Sequence, residues 1–221
     1  MRIRQAPPAH GLPSDSDQMS ATDQQHRLSD QLDRWLTDDG EKTVGSLVDA
    51  FGDKSFAMLL VLLLGIPALP LPTGGVTHVF EVIAVLLALE LIVGRREVWL
   101  PHRWRALALA GEKQQRFVTF LLRLIRRLER FSRPRLAFLF HCRFSNRVFG
   151  LLVIGGSAGA FLAPPFSGLD TLPALGVVLL SLGVLLEDFA VVAGAIVVGV
   201  TGVALEIALG AAALHGLRTI F

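Results

Sequence analysis

The side chains that could carry chemistry in this chain are few, and the strongest candidates lie inside apolar stretches. His78 and Glu81 are three residues apart, so a helix would place both on one face. Glu206 lies four residues from both Gly202 and Gly210, which leaves room for another helix to approach its carboxylate. A charge at the centre of a membrane helix costs about 2.5 to 3.5 kcal/mol, so such residues usually have a function. These three residues form the candidate solute or proton site; neutral side chains hydrogen-bonded within a helix bundle are the alternative.

Other catalytic and metal-binding patterns are missing from the sequence. The single cysteine, Cys142, excludes an internal disulfide and any Cys-x-x-Cys site, and its neighbour His141 would project from a different helix face. The six histidines show no His-x-x-x-His spacing, and no nucleophile elbow, phosphate loop or dinucleotide fingerprint occurs. We therefore expect no catalytic residues, no metal and no cofactor, and we do not expect an enzyme.

The candidate site lies in a chain that is too apolar for an ordinary soluble domain. Hydrophobic residues make up 52% of the sequence, and the mean hydropathy is +0.55. About 20 apolar residues cross the core of a bilayer, and the chain has five apolar segments of roughly that length. They are residues 56–72, 76–94, 148–164, 169–186 and 189–214. The sequence therefore predicts an all-α, polytopic integral membrane helix bundle.

Prolines interrupt the first and second pairs of apolar segments. They are Pro67, Pro70 and Pro72 in the first pair and Pro164, Pro165 and Pro173 in the second. Because proline frees backbone carbonyls, we expect broken or re-entrant helices. A shift of the chain by 93 residues places Pro72 on Pro165 and Gly75 on Gly168, which suggests an internal duplication. Matched breaks in two halves are typical of transporter binding sites; kinked hairpins with a structural role are the alternative.

Positive charge is concentrated between the second and third apolar segments and predicts the orientation. Residues 95–147 contain 14 of the 21 lysines and arginines, so we expect this loop to be cytoplasmic. Inside it, one predicted helix carries apolar residues on one side and arginines on the adjacent side. The arginines are Arg116, Arg123, Arg126, Arg127 and Arg130. We expect the helix to lie in the headgroup layer with these arginines facing anionic membrane lipids, and we do not expect nucleic acid as a partner.

The N-terminal part of the chain differs in composition from the rest. The first 54 residues carry ten acidic and six basic residues, and their Pro/Ser/Asp-rich start cannot bury enough apolar surface to fold alone. We therefore divide the chain into a mostly disordered acidic segment, residues 1–42, and a membrane domain, residues 43–221. Helical spacing of Leu28, Leu32 and Trp35, and of Leu47 and Phe51, predicts two short helices packed on the bundle or the membrane surface.

Several motifs of the membrane domain occur in the order of a known family. The most specific is Gly94-Arg95-Arg96-Glu97-Val98-Trp99-Leu100-Pro101, and others cover residues 44–52, 66–72, 128–136 and 164–188. Over roughly residues 43–205 the chain resembles the ExoD family of exopolysaccharide-synthesis membrane proteins. The resemblance implies a multi-pass location in the bacterial inner membrane and a contribution to exopolysaccharide production, and it supplies no catalytic residues.

Together these patterns predict a non-catalytic or transport-like membrane protein that supports exopolysaccharide synthesis or export. Expected partners are membrane lipids and either polysaccharide-synthesis machinery or a second copy of the chain. One rival is a small ion- or proton-coupled secondary transporter unrelated to polysaccharide, and another is a scaffold of a membrane complex. Transport requires His78, Glu81 and Glu206 individually, whereas a scaffold depends on the amphipathic helix and the glycine-rich residues 155–160.

Overall fold

A computed structural model describes residues 28–65, 67–69, 77–95, 97–109, 111–131, 143–163 and 168–220 of the chain. This part is helical and contains no β-strand, although an isolated bridge pairs Thr43 with Ala108. The helices are α1 (Leu28–Thr37), α2 (Val44–Phe51), α3 (Ser55–Leu64), α4 (Thr77–Val93), α5 (His102–Arg105), α6 (Glu112–Phe131), α7 (Arg143–Leu162), α8 (Thr171–Leu185) and α9 (Phe189–Ile220). A 3-10 turn, Gly52–Lys54, joins α2 to α3. The prediction of an all-α fold is confirmed.

Local sequence signals explain where the N-terminal helices begin and end. Thr43 and Ser46 form a capping box at the start of α2, in which each side-chain oxygen accepts a hydrogen bond from the backbone N–H of the other residue at 3.1 Å. The helix ends at Gly52, whose φ of 50° suits glycine. Both short helices therefore form where the apolar spacing predicts them. Of the segment 1–42 that is predicted to be mostly disordered, residues 1–27 lie outside the described residues, and Leu28–Thr37 forms α1.

The apolar helices pack around α8. It contacts α9, α3 and α7, while α4 packs mainly on α7. Each of the five apolar segments overlaps one of these helices, but the helices differ in length. Within the described residues, two stretches are long and apolar enough to cross a membrane, Ser145–Leu162 in α7 and Phe189–Ala212 in α9. Helices α3, α4 and α8 have 10, 17 and 15 residues, which is short of the roughly 20 needed to cross a bilayer core at right angles.

The two helical hairpins, α3–α4 and α7–α8, pack so that each helix of one hairpin lies against one helix of the other. Helix α4 lies against α7, and α3 lies against α8. The 93-residue shift places Thr77–Val93 on residues 170–186, which match α8 to within one residue at either end. The helix bounds thus agree with the proposed repeat, and the duplication itself stays a prediction. Pro173 lies in the first turn of α8, where proline is tolerated, so it does not break that helix.

The N-terminal helices and α6 form a separate layer beside the apolar bundle. Helix α1 contacts α6 and α2, and α2 contacts α3. On α6 the buried side chains are Val118, Leu121, Leu122 and Ile125, which belong to the hydrophobic core of the protein. Phe120, expected on the same apolar face, is 47% exposed. Most of the apolar surface of α6 therefore packs against protein.

Candidate functional site

Helix α4 carries His78 and Glu81, the two candidate residues that the sequence places on one helix face. His78 Nδ1 lies 2.8 Å from Glu81 Oε2, so the two side chains form a direct contact on one helix face. The Glu81 side chain has no exposed surface, whereas that of His78 is 27% exposed. Oxygen Oε1 of Glu81 is buried and has no hydrogen-bond partner among the described residues. Glu81 is therefore a buried carboxyl group. One of its oxygens contacts His78, and the other has no hydrogen-bond partner among the described residues.

The register between α4 and α7 shows what faces Glu81. The rings of His78 and Phe161 are 5.1 Å apart, while a Cβ built on Gly150 would lie 2.9 Å from the carbonyl oxygen of Ala88. The two helices therefore run antiparallel, and Glu81 lies level with residues 157–160 of α7. Ser157 in that stretch is buried, and its hydroxyl oxygen has no partner within the described part of the chain.

Glu206 on α9 lies level with the same stretch of α7, residues 157–160. A Cβ built on Gly159 would lie 3.8 Å from Glu206 Oε2, so the carboxyl group packs against the bare backbone of α7. The other oxygen, Oε1, is buried without a hydrogen-bond partner among the described residues. Glu206 and Glu81 also lie close enough to interact electrostatically, and Asp170 acts on both. The structure thus brings His78, Glu81 and Glu206 into one neighbourhood.

Asp170 is a member of this neighbourhood that spacing arguments missed. It immediately precedes α8 and is half-buried. The only signal in the sequence is its position at the start of an apolar segment, directly after the second Pro-rich break. Three carboxyl groups on three different helices, or at their starts, therefore converge: Glu81 from α4, Asp170 from α8 and Glu206 from α9.

The site lies at the end of the bundle where the two Pro-rich connections occur. Helix α4 begins at Thr77, α7 ends at Leu162 and α8 begins at Thr171. The contact between His78 and Phe161 shows that the described flanks of the two breaks meet. The prolines at positions 70, 72, 164 and 165 lie outside the described residues. Within the span Phe189–Ala212, Glu206 is about 8 Å past the midpoint, at about 1.5 Å per residue.

The glycines that flank Glu206 differ in their surroundings. A Cβ on Gly202 would lie 2.8 Å from Cβ of Leu172, so α8 approaches α9 closely here, as the sequence predicts. Gly210 has no atom within 4 Å of its hypothetical Cβ, so no described helix uses that position. In the glycine-rich stretch of α7 the close contacts come from Gly156 and Gly159, while Gly155 faces open space.

Glu90 is separate from the site, as its position nine residues after Glu81 predicts. Its Oε2 accepts a hydrogen bond from the backbone N–H of Trp99 at 2.9 Å. It borders a surface cavity of about 440 Å³ between the end of α4 and residues 99–104. At the same end of the bundle, Lys54 Nζ and Glu187 Oε1 form an ion pair at 2.9 Å. Glu90 therefore serves as an internal comparison for Glu81.

The arginines of α6 lie on its exposed side. All five of the arginines predicted to face lipid are exposed: Arg116, Arg123, Arg126, Arg127 and Arg130. Arg126 forms an ion pair with Asp33 of α1 at 2.9 Å. Contact of the arginines with lipid stays a prediction.

Comparison with known proteins identifies the family. The family model described as "Exopolysaccharide synthesis, ExoD" matches residues 28–208. The chain belongs to the ExoD family. Protein ExoD of Rhizobium meliloti is 34% identical over 178 residues, which are 78% of this chain and 72% of that protein. An uncharacterized protein of Synechocystis sp. is 33% identical over 172 residues, which are 76% of this chain and 80% of that protein. No solved structure matches the chain.

The extent of the ExoD match adds to the resemblance found in the sequence. It begins at residue 28, where α1 also begins, whereas the motifs in the sequence cover only residues 43–205. Helix α1 therefore lies within the matched family region. Membership of the ExoD family implies a role in exopolysaccharide synthesis.

Proposed function

We propose that this protein is a multi-pass protein of the bacterial inner membrane that supports exopolysaccharide synthesis or export by a transport-like step, without catalysing sugar transfer. The observation that carries the proposal is the environment of Glu81. This carboxyl group has no exposed surface, and its Oε1 has no hydrogen-bond partner among the described residues. Burial of an ionisable group with an unmet hydrogen bond costs stability. A purely structural role does not account for that cost, whereas the binding of a solute or proton does.

Helix α9 supports a location in the membrane. Its apolar stretch Phe189–Ala212 would be about 36 Å long, which exceeds the roughly 30 Å hydrocarbon core of a bilayer. Only 17% of this stretch is buried within the protein. Val197, Val200 and Ile207 are each more than 60% exposed. Lipid would cover this apolar surface and remove the cost of exposing it to water, about 25 cal/mol per Å².

The geometry of the carboxyl cluster favours transport over catalysis. An enzyme that forms or breaks glycosidic bonds needs its acid or base within hydrogen-bond reach of the sugar oxygen. Glu81 has no exposed surface, so it cannot contact a polysaccharide in this conformation. The location at the described flanks of the two Pro-rich connections resembles the arrangement in transporters, where broken helices enclose the bound solute.

Complementation of a strain that lacks the gene tests the proposal. Glu81→Gln keeps the shape of the side chain and removes its charge, so we expect it to abolish exopolysaccharide production at normal protein level and normal membrane insertion. Glu90→Gln, on the same helix but outside the site, is the matched control and should complement fully. Full production by the double variant His78→Gln/Glu81→Gln would reject the transport-like role.

The scaffold hypothesis makes the opposite prediction for the same strain. Its basis in the structure is the exposed arginine side of α6. If the protein is a scaffold, charge reversal at Arg123 and Arg127 should abolish exopolysaccharide production, and Glu81→Gln should leave it unchanged. The two sets of variants therefore separate the hypotheses in one assay.

A further inference from the structure

We propose that Glu81 is a reversible proton-binding site and that His78 transfers protons between it and the exterior of the protein. This inference rests on the proposed transport-like function, which it deepens by naming the proton as the species that the buried site binds. It is carried by the geometry of the carboxyl cluster: a carboxyl group without exposed surface whose Oε2 directly contacts a histidine that is partly exposed.

The groups around Glu81 leave its charge with little compensation. Facing it are His78 on its own helix, Ser157 on α7, Asp170 at the start of α8 and Glu206 on α9. Helices α4 and α8 contain no lysine or arginine, and those of α7 and α9 lie at least ten residues, nearly three turns, from Ser157 and Glu206. Among the described residues, three carboxyl groups thus lie near one histidine, and protonation of one carboxyl group reduces the repulsion among them.

A proton fits this site better than a metal ion. Within the described ranges, no group of three or more His, Cys, Asp or Glu side chains is arranged to hold a metal ion together. A hard cation such as Mg²⁺ or Ca²⁺ takes six or more oxygen ligands. A proton needs a single oxygen, and Oε2 of Glu81 supplies one in direct contact with Nδ1 of His78, at 2.8 Å.

His78 supplies the connection to the exterior. Its side chain is 27% exposed, and its Nδ1 contacts Oε2 of the fully buried Glu81 at 2.8 Å. Histidine can bind a proton at one ring nitrogen and release another from the second. A proton from outside forms a bond to Nε2, the Nδ1–H bond breaks, and an O–H bond forms at Glu81 Oε2. The ring stays neutral overall, and Glu81 changes from a carboxylate to a carboxylic acid.

Glu206 gives the proton a second position across the bundle. It interacts electrostatically with Glu81 and lies on α9, whereas Glu81 lies on α4. Two neighbouring carboxyl groups titrate as a coupled pair rather than independently. A proton that passes from Glu81 to Glu206 therefore moves from the α4–α7 contact to the α7–α9 contact. This shift is a step that a transport cycle can use.

Infrared difference spectroscopy of the full-length protein in detergent tests the inference. After a pH jump, the wild type should show a change in the carbonyl band of a protonated carboxyl group. Glu81→Gln should remove that change, and Glu90→Gln should keep it, because Glu90 lies outside the cluster. An unchanged band in a folded Glu81→Gln variant would overturn the proposal.

His78→Gln provides a second test that does not depend on the folding of Glu81→Gln. Because Glu81 is still present, the carbonyl band should change by the same amount, but more slowly than in the wild type. An unchanged rate would overturn the role of the histidine.

The result of the infrared experiments is independent of the result of the complementation assay. Protonation of Glu81 with normal polysaccharide production by Glu81→Gln would reject the proposed function and keep the proton site. If Glu81→Gln abolishes polysaccharide production but no carbonyl band of Glu81 is seen, the proton site is rejected and the proposed function is kept.

Discussion

Gly176 of α8 lies directly against Gly199 of α9. A Cβ built on Gly176 would be 2.5 Å from Cα of Gly199 and 2.8 Å from its backbone nitrogen. Neither helix can move away without loss of the contacts along the whole α8–α9 pair, which also holds Gly202 against Leu172 at the carboxyl site. Small residues at such crossings allow helix backbones to approach closely, as membrane helices commonly do. The position of Glu206 therefore depends on this glycine pair.

Gly176→Ala should destabilise the protein, because the added methyl group meets backbone atoms that cannot rotate away. Overpacking of this kind costs about 1 to 3 kcal/mol. We expect a lower midpoint of thermal unfolding in detergent. Gly194→Ala, on the same pair of helices but with no atom within 4 Å of the new Cβ, is the control and should be neutral or slightly stabilising. Equal midpoints for the two variants would contradict the close helix crossing.

Glu129 of α6 caps the N-terminal end of α1. Its two carboxylate oxygens accept hydrogen bonds from the backbone N–H and from the hydroxyl group of Ser29, which is the second residue of α1. The first amides of a helix lack intrahelical partners, and a negative charge at this end is favourable. This contact joins two elements that are 100 residues apart in the chain.

Glu129→Ala should therefore loosen α1. Loss of hydrogen bonds to a charged group costs about 1.5 to 3 kcal/mol, enough to raise the opening rate of a short helix. We expect faster hydrogen exchange of the amides in Leu28–Thr37 and no change in α8. Arg127→Ala, two residues away and exposed, is the control. If α1 exchanges at the wild-type rate in Glu129→Ala, the carboxylate does not hold this helix.

The sequence predicts most helices of the apolar bundle correctly because each is an uninterrupted apolar run with a clear end. The segment 76–94 ends at Gly94, and α4 ends one residue before it. The segment 56–72 is the exception, since α3 stops at Leu64, three residues before Pro67, one of the prolines expected to interrupt this segment. A Cβ on Gly65 would lie 2.4 Å from the ring of Phe117, so α6 crosses directly at this position. A contact between residues 52 positions apart leaves no trace in local periodicity.

The sequence likewise predicts only some of the contacts in the candidate site. Spacing within one helix correctly pairs His78 with Glu81 and separates Glu90 from them, because positions on one helix face follow from 3.6 residues per turn. Spacing cannot bring Asp170 and Glu206 to the same place, since their proximity depends on the packing of α7, α8 and α9. The apolar side of α6 is ambiguous for another reason: an amphipathic pattern is the same whether lipid or protein covers it.

The exposed arginines of α6 should bind anionic lipid. Each basic residue near an anionic membrane surface contributes about 1 kcal/mol, so reversal of three should weaken lipid binding strongly. We expect less anionic lipid to co-purify with the triple variant Arg123→Glu/Arg127→Glu/Arg130→Glu, as measured by mass spectrometry of the extracted lipid. Arg126→Glu is the informative comparison, because this arginine already pairs with Asp33. The same amount of anionic lipid on wild type and triple variant would exclude this role.

The two ends of the bundle should face opposite sides of the membrane. The basic residues 95–147 connect the end of α4 to the start of α7, and these two helix ends lie at the end of the bundle away from the carboxyl site. Translocation of 14 positive charges is disfavoured, so this end should be cytoplasmic. His215 lies 26 residues after the start of α9, about 39 Å along it, which is enough to emerge on the other side.

Single cysteines in a Cys142→Ser background test this orientation in intact cells. Gln115 and His215 are both exposed, so a cysteine at either position can react when the reagent reaches it. We expect a membrane-impermeant maleimide to label His215→Cys in intact cells, and to label Gln115→Cys only after the cells are opened. This result would place the carboxyl site nearer the outer face of the inner membrane, where His78 exchanges protons with the periplasm. The opposite labelling pattern would invert the orientation, and labelling of both cysteines from outside would reject a membrane-spanning α9.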